Sequence, residues 1–443
     1  MPRQTTRRSF LRQSAAAATA AAFAAPAFLR AKSPNEMPNL AGVGVGGKGW
    51  GDINSTSKGA NVIAFCDVET GKNRRGGYQK AAAQWPDAKR YTDWRKMLDE
   101  LGKDLDGITV STPDHMHAPV TMSALQLGIA TYTQKPLTRT VHEARQLTLA
   151  AKKAGVATQM GNQHHSSSDY RTLVDLVQSG VIGKIKEAHA WSNRPIWPQG
   201  IDRPKGEDPV PEGFAWDLWL GVAQKRPFKA GVYHPFKWRG WYDFGAGALG
   251  DMGCHIIDPV VWALDLAAPT MVWYEGPEPN PETFPTWELI HYDFPGTKYT
   301  AGEAIHVIWY DGGKLPPKQL ALGAELPSNG TLFVGEKGAV LTPHGSGGPK
   351  LLPEGEFGEF DVIAGTDHYQ QWTNTIRGTD KTTSNFGYAG PLTETVLLGT
   401  IASRVAGKKL QWDSKNLVFP NSPEATAYVK QDYREGWEVK GLS

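Results

Sequence analysis

Between residues 37 and 160, short apolar runs alternate with amphipathic stretches. The first run, Asn39 to Val45, leads into Gly46-Gly47-Lys48-Gly49. The second, Val62 to Cys66, ends in Asp67. The third, Gly107 to Ser111, ends in Thr112-Pro113-Asp114-His115-Met116-His117. The fourth, Ile129 to Thr133, ends in Gln134-Lys135-Pro136, and Val156 to Met160 is the fifth. Runs this short suit buried strands rather than helices. Between them lie helical patterns such as Val141 to Ala154, with apolar positions three and four apart. Strands alternating with helices predict a parallel sheet in an α/β domain.

From about Gly161 the pattern changes. A helix is predicted over 168–179 and a strand over 185–191, followed by a Trp-, Pro- and Gly-rich stretch from Asn193 to Gly247. One helix is predicted from Ala248 to Leu266. Alternating strands follow at Trp287 to Phe294, Tyr299 to Trp309 and Thr331 to Leu341, the last folded at Gly335-Glu336-Lys337-Gly338. Late helices are expected over 368–377 and 392–406. The pattern predicts an α+β domain with a large, mostly antiparallel open sheet. The division is therefore 1–32 as an address and short linker, 37–160 as the parallel-sheet domain, and 161–443 as a second, α+β domain.

The chemistry gathers where the strands end. Gly44-x-Gly46-x-x-Gly49 follows a strand, opens a helix and precedes Asp67. Gly44 permits a tight turn, Gly46 and Gly47 leave room for a pyrophosphate, and the helix N-terminus supplies donors and positive dipole. Asp67 would accept hydrogen bonds from a ribose and repel a 2′-phosphate, favouring NAD over NADP. Lys72, Arg74 and Arg75 nearby would weaken that preference. Thr112, Asp114 and His117 stand beyond a strand's carboxyl end and are expected to face the cofactor, with His115 shaping the loop. Lys135 before Pro136 is either a surface lysine or a group that steadies a substrate oxygen. Asp251 and His255 are four apart on a helix, so they share a face. Such a pair is either a general base with its orienting carboxylate or an ordinary ion pair. Adjacent His164 and His165 point in different directions and have no third ligand at suitable spacing, so no metal is expected.

Composition and the two ends of the charge pattern add further constraints. The 443 residues include 16 Trp, many of them between 191 and 242; they form either a sugar-stacking surface or packing for a long loop region. Of 47 basic residues, Arg3, Arg7, Arg8 and Arg12 lie ahead of any acid; without them 43 face 45 acidic residues, and no basic stripe for nucleic acid remains. Thr6-Arg7-Arg8-Ser9-Phe10-Leu11-Arg12, then the Ala-rich stretch to Ala25, form a twin-arginine export address, with cleavage near Ala22 to Ala27. The stretch is too short and too weakly apolar to span a bilayer, so no stable membrane insertion is expected. A periplasmic or otherwise exported location follows. Cys66 and Cys254 are expected to be buried free thiols.

These elements together resemble the Gfo/Idh/MocA oxidoreductases, across nearly the whole chain after the address. The resemblance rests on Gly44 to Gly49, Thr112-Pro113-Asp114 with His117, Lys135-Pro136, and Asp251 with His255. It departs at Gln134, where the family usually has Glu. The resemblance implies a Rossmann domain, a second open sheet often used for homo-oligomer contacts, NAD as hydride acceptor, and redox chemistry on a sugar or polyol. It also implies His255 as catalytic base, Asp251 as its helper, and Lys135 polarising the reacting oxygen. Because free NAD is scarce outside the cytoplasm, an exported member should hold its cofactor tightly and restore it each cycle. It would do so by pairing oxidation of one sugar with reduction of another. Alternatively it would cleave a glycoside by transient oxidation and elimination. A sugar-binding relative without turnover is the non-enzymatic alternative.

Overall fold

The computed structural model describes residues 36–71 and 77–443. The export address and Lys72, Arg74 and Arg75 lie outside the described residues. Among the described residues, no helix is long and apolar enough to cross a membrane.

The first sheet has six parallel strands in the order β3-β2-β1-β4-β5-β6. They are β1 (Asn39–Val43), β2 (Asn61–Cys66), β3 (Lys89–Tyr91), β4 (Gly107–Val110), β5 (Ala130–Thr133) and β6 (Thr158–Met160). Connecting helices are α1 (Lys48–Thr56), α2 (Tyr78–Gln84), α3 (Trp94–Leu101), α4 (His117–Gln126) and α5 (Val141–Ala154). Every residue of β4 and β5 is buried, as strands covered on both faces must be. The strand order reverses between β1 and β4, which opens a crevice at their carboxyl ends.

The second part begins with α6 (Ser168–Ser179), β7 (Ile185–Trp191), α7 (Trp216–Leu220), α8 (Gly247–Ile256) and α9 (Asp258–Leu264). Then come β8 (Met271–Glu275), β9 (Leu289–Pro295), β10 (Ala304–Tyr310), β11 (Gly330–Gly335), β12 (Ala339–Pro343) and β13 (Lys350–Leu352). The chain closes with α10 (His368–Ile376), α11 (Phe386–Ala402), β14 (Leu410–Gln411) and α12 (Pro423–Ala427). Its sheet has eight strands, β13-β12-β11-β7-β10-β9-β8-β14, antiparallel throughout except for the parallel β7–β10 pair. The expected parallel Rossmann domain and mostly antiparallel second sheet are both present. Ile290, Tyr292 and Phe294 on β9 and Ile305, Val307 and Trp309 on β10 face the core with period two.

The single helix expected over 248–266 is two helices, because Pro259 starts a new one after Ile257. The last two long helices return to the first domain: α10 packs on α1, and α11 packs on α5 as well as α8. Cys66 and Cys254 are both free and buried.

Candidate active site

The glycine loop is built for close approach. Gly44 has φ +77°, and a Cβ there would lie 2.7 Å from the Ser111 carbonyl oxygen. A Cβ on Gly49 would overlap the carbonyl oxygen of Gly44, and the Gly49 N–H donates to Gly46 O at 2.9 Å. Gly47, at φ +56°, has open space where a side chain would stand. It caps α1 without a side-chain hydrogen bond, and the first turn of that helix holds no acid. Free backbone donors, a positive helix end and vacant space fit a pyrophosphate. Asp67 accepts hydrogen bonds from Val45 N (2.9 Å) and Glu69 N (3.0 Å), so it braces the loop as well as ending β2. Burial raises its pKa.

Asp52 on α1 sits beneath the loop, fully buried, and is tied to Lys48. It accepts from Ser111 Oγ (2.8 Å), Tyr369 Oη (3.0 Å) and Gln134 Nε2 (2.8 Å). This accounts for the amide at 134: glutamate there would set two carboxylates in contact.

Lys135, Asp114, Asp251, Arg239 and Arg194 form one cluster of charges. Lys135 Nζ donates to Asp251 Oδ1 at 2.8 Å and to the Asp251 carbonyl oxygen. Arg239 Nε donates to Oδ1 at 3.0 Å, and Arg194 Nε lies 3.9 Å from Oδ2. Burial opposes a charge on Asp251, but Lys135 and Arg239 overcome it and hold the carboxyl well below its usual range. Asp114 is 4% exposed, and burial raises its pKa to about 7 against the pull of Arg239 and Lys135. Lys135 is therefore an ion-paired, largely enclosed cation rather than a surface lysine.

Two expectations about individual side chains are corrected. Asp251 does not orient His255; no hydrogen bond joins them, because the carboxylate is turned toward Lys135 and the arginines. His117 does not face the crevice. Its ring lies between the carbonyl oxygens of Pro136 (Nδ1, 2.7 Å) and Thr112 (Nε2, 2.9 Å) at the β4 and β5 ends, and its single N–H donates to one of them. Burial lowers its pKa to about 4. His115 is likewise enclosed, between Trp219 O (3.0 Å) and Phe244 O (3.3 Å). Thr112 is half-buried at the β4 end, its hydroxyl 3.2 Å from Pro113 O.

His255 faces two other imidazoles. Ring centroids lie 6.1 Å from His164 and 5.4 Å from His344, and those two are 4.3 Å apart. Tyr170 Oη is 2.8 Å from His344 Nδ1. His255 Nδ1 is enclosed without a partner, and no hydrogen bond to Nε2 occurs among the described residues. Burial, then Lys135, His344 and His164, push its pKa well below the usual value, so the ring is neutral. Adjacent His165 turns away, to Asp258 at 3.0 Å, and stacks on Trp262 at 4.2 Å. Among the described residues no three side chains converge to hold a metal.

The aromatic stretch resolves mainly as packing. Trp216, Trp219, Tyr233, Trp238 and Trp241 share a small core with Phe214, Phe228 and Phe244, and Trp216 stacks on Trp219 at 4.8 Å. Arg194, His344, Tyr170 and Asp52 are site residues that no motif signalled. Arg194, His344 and Tyr170 come from segments distant from the motifs, so spacing carries no trace of them; Asp52 follows the glycine motif by three residues, but the motif itself does not call for it.

Residues 39–162 match the family model described as oxidoreductase family, NAD-binding Rossmann fold, and 169–308 match the oxidoreductase family, C-terminal alpha/beta domain. A levoglucosan dehydrogenase from Pseudarthrobacter phenanthrenivorans is 22% identical over 204 residues, 44% of this chain and 40% of the relative. An inositol 2-dehydrogenase from Salmonella typhimurium is 26% identical over 136 residues, 30% of this chain and 39% of the relative. The chain aligns with less than half the length of these relatives. The WlbA dehydrogenase from Bordetella pertussis, solved with NADH and UDP-GlcNAcA, has the same fold. Its TM-score is 0.58 at 15% identity, covering 85% of this chain and 99% of that one.

Proposed function

The chain belongs to the Gfo/Idh/MocA oxidoreductase family, and on that premise we propose that it oxidises a hydroxyl group of a sugar or glycoside, with His255 as base and Lys135 holding the reacting oxygen. The observation that carries this reading is the meeting of Lys135, from the end of β5, with α8 one turn ahead of His255. An ammonium has three protons, and two of them go to Asp251. The third is free for a substrate oxygen, where it stabilises developing negative charge. Asp251, held by Arg239, fixes the ammonium in place.

Bound NAD supplies the hydride acceptor. His255, kept neutral by burial and by Lys135, would be the group that takes the hydroxyl proton. With NAD held at the glycine loop, the C–H hydrogen would leave to it as hydride, the O–H proton would go to His255, and Lys135 would hold the resulting carbonyl oxygen. The sugar-acting names of the relatives support the substrate class. The Asp67 carboxylate supports NAD rather than NADP.

The twin-arginine pattern at Thr6 to Arg12 supports export, and export supports a cofactor that stays bound and is restored each cycle. The test is to dialyse the purified protein, denature it and weigh the released nucleotide. A parallel sample is mixed with sugars while the absorbance of reduced nicotinamide is followed. Near-stoichiometric NAD that a sugar reduces is expected, with reduction in His255→Ala slower by roughly 10²–10⁴-fold. Unaltered reduction in His255→Ala removes the assigned base, and an empty protein inert to sugars removes the redox reading.

A further inference from the structure

Away from the crevice, a cavity of about 290 Å³ lies where the start of α5, the segment before α8, the end of α11 and the chain after α12 meet. Two guanidinium groups face it. Arg139 is only 9% exposed. Its Nη1 donates to the Tyr242 carbonyl oxygen at 3.0 Å, while its Nε is enclosed without a partner. Arg404 lies between two aromatic faces, 3.7 Å from the Tyr428 ring centroid and 4.3 Å from that of Tyr242. Among the described residues no carboxylate pairs with either guanidinium. Asp243 and Asp432 also line the cavity; the Asp243 carboxylate is tied to Arg226 and also favours the charged form of Arg404. Burial lowers the Arg404 pKa, and the like charge of Arg139 lowers it further. The Tyr242 hydroxyl is also enclosed without a partner.

Two neighbouring guanidinium groups without a salt-bridge partner leave N–H donors that an anion would join. A guanidinium offers a planar fork that matches two oxygens of phosphate, sulfate or carboxylate. The aromatic walls at Tyr242, Tyr428 and Phe284 would cover the body of a small organic ligand. The start of α5 adds a positive dipole end, although its capping box already uses Thr140 and Glu143.

We propose that this cavity is a second ligand site, which binds a small molecule bearing an oxyanion between Arg139 and Arg404. Its size admits a monosaccharide-sized ligand, and its anion is either a free inorganic ion or a group carried on an organic body. The site is separate from Lys135 and His255, so its test needs no turnover and survives failure of the redox reading.

The test is titration calorimetry of the full protein with sodium sulfate, sodium phosphate, glucuronate and glucose 6-phosphate, each against sodium chloride at equal ionic strength. Saturable binding of at least one is expected. Tighter binding of the sugar acids than of sulfate and phosphate identifies an organic ligand, and the reverse order identifies an inorganic one. Affinity should fall at least tenfold in Arg404→Gln. If that variant does not fold, the wild-type protein is treated with phenylglyoxal and Arg404 modification is read by mass spectrometry. The bound ligand should then shield Arg404. Absence of saturable binding, equal affinity in Arg404→Gln, or unshielded Arg404 overturns the proposal.

Discussion

Gln134 shows how one atom type sets the charge of a site. Its Nε2 donates to buried Asp52, which also holds Lys48 and Ser111. Replacing Gln134 with Glu sets carboxylate against carboxylate in a dry pocket. A loss of about 3 kcal/mol is expected in denaturant unfolding, by the scale for an unpaired buried charge. Asp114 gives a test through pH. Its pKa is raised from 3.8 to about 7 by burial, so between those values the folded chain holds a proton that the unfolded chain releases. Its contribution is fully present below about pH 4 and is lost as pH rises to 7, a change on the order of 4 kcal/mol. Asp114→Asn should flatten that part of the profile; unfolding midpoints at pH 5 and pH 8 that fall as in the wild type would refute the assignment. At this scale the sequence was only partly legible. Lys135, Asp251 and His255 could be located, but the direction of the Asp251 carboxylate could not. It depends on Arg239 and Arg194, which loops bring in from elsewhere.

At the scale of the element, the glycine loop and α1 act as one unit. Gly49 touches the Gly44 carbonyl oxygen because it has no side chain, so Gly49→Ala should push α1 outward. NAD affinity is then expected to fall at least about tenfold, since the loop backbone must reach the pyrophosphate; calorimetry that finds it unchanged would remove the loop from the cofactor site. Elements with a strong period were read well: the helix over Val141–Ala154 and the β11–β12 hairpin appear as expected. The weak ones were not. β3 (Lys89–Tyr91), β13 and β14 have two or three residues each and form no apolar run, so only their neighbours define them. The aromatic stretch was ambiguous because composition alone does not tell a stacking platform from a local core.

Across the whole molecule, the last segment ties the two sheets together. Arg145 on α5 makes two 2.7 Å hydrogen bonds to Glu394 on α11. Tyr433 Oη donates to Glu143 Oε1 at 2.7 Å, and Arg434 Nε donates to Gly221 O at 2.9 Å. Deleting residues 432–443 should therefore lower the melting temperature by on the order of 5–10 °C. A scanning calorimetry trace with an unchanged midpoint would show that the tail is not a tie. The two-sheet plan was legible from the switch in period near Gly161. The return of α10 and α11 to the first domain was not, because nothing local records which surface a late helix will cover.

That return has a consequence for synthesis. The six-stranded sheet is complete in the emerging chain once residue 160 has left the ribosome. The coverings of α1 and α5, at 368–376 and 386–402, are translated more than two hundred residues later. Until then the young domain leaves open the side of α1 that α10 will hydrogen-bond and the side of α5 that α11 will cover.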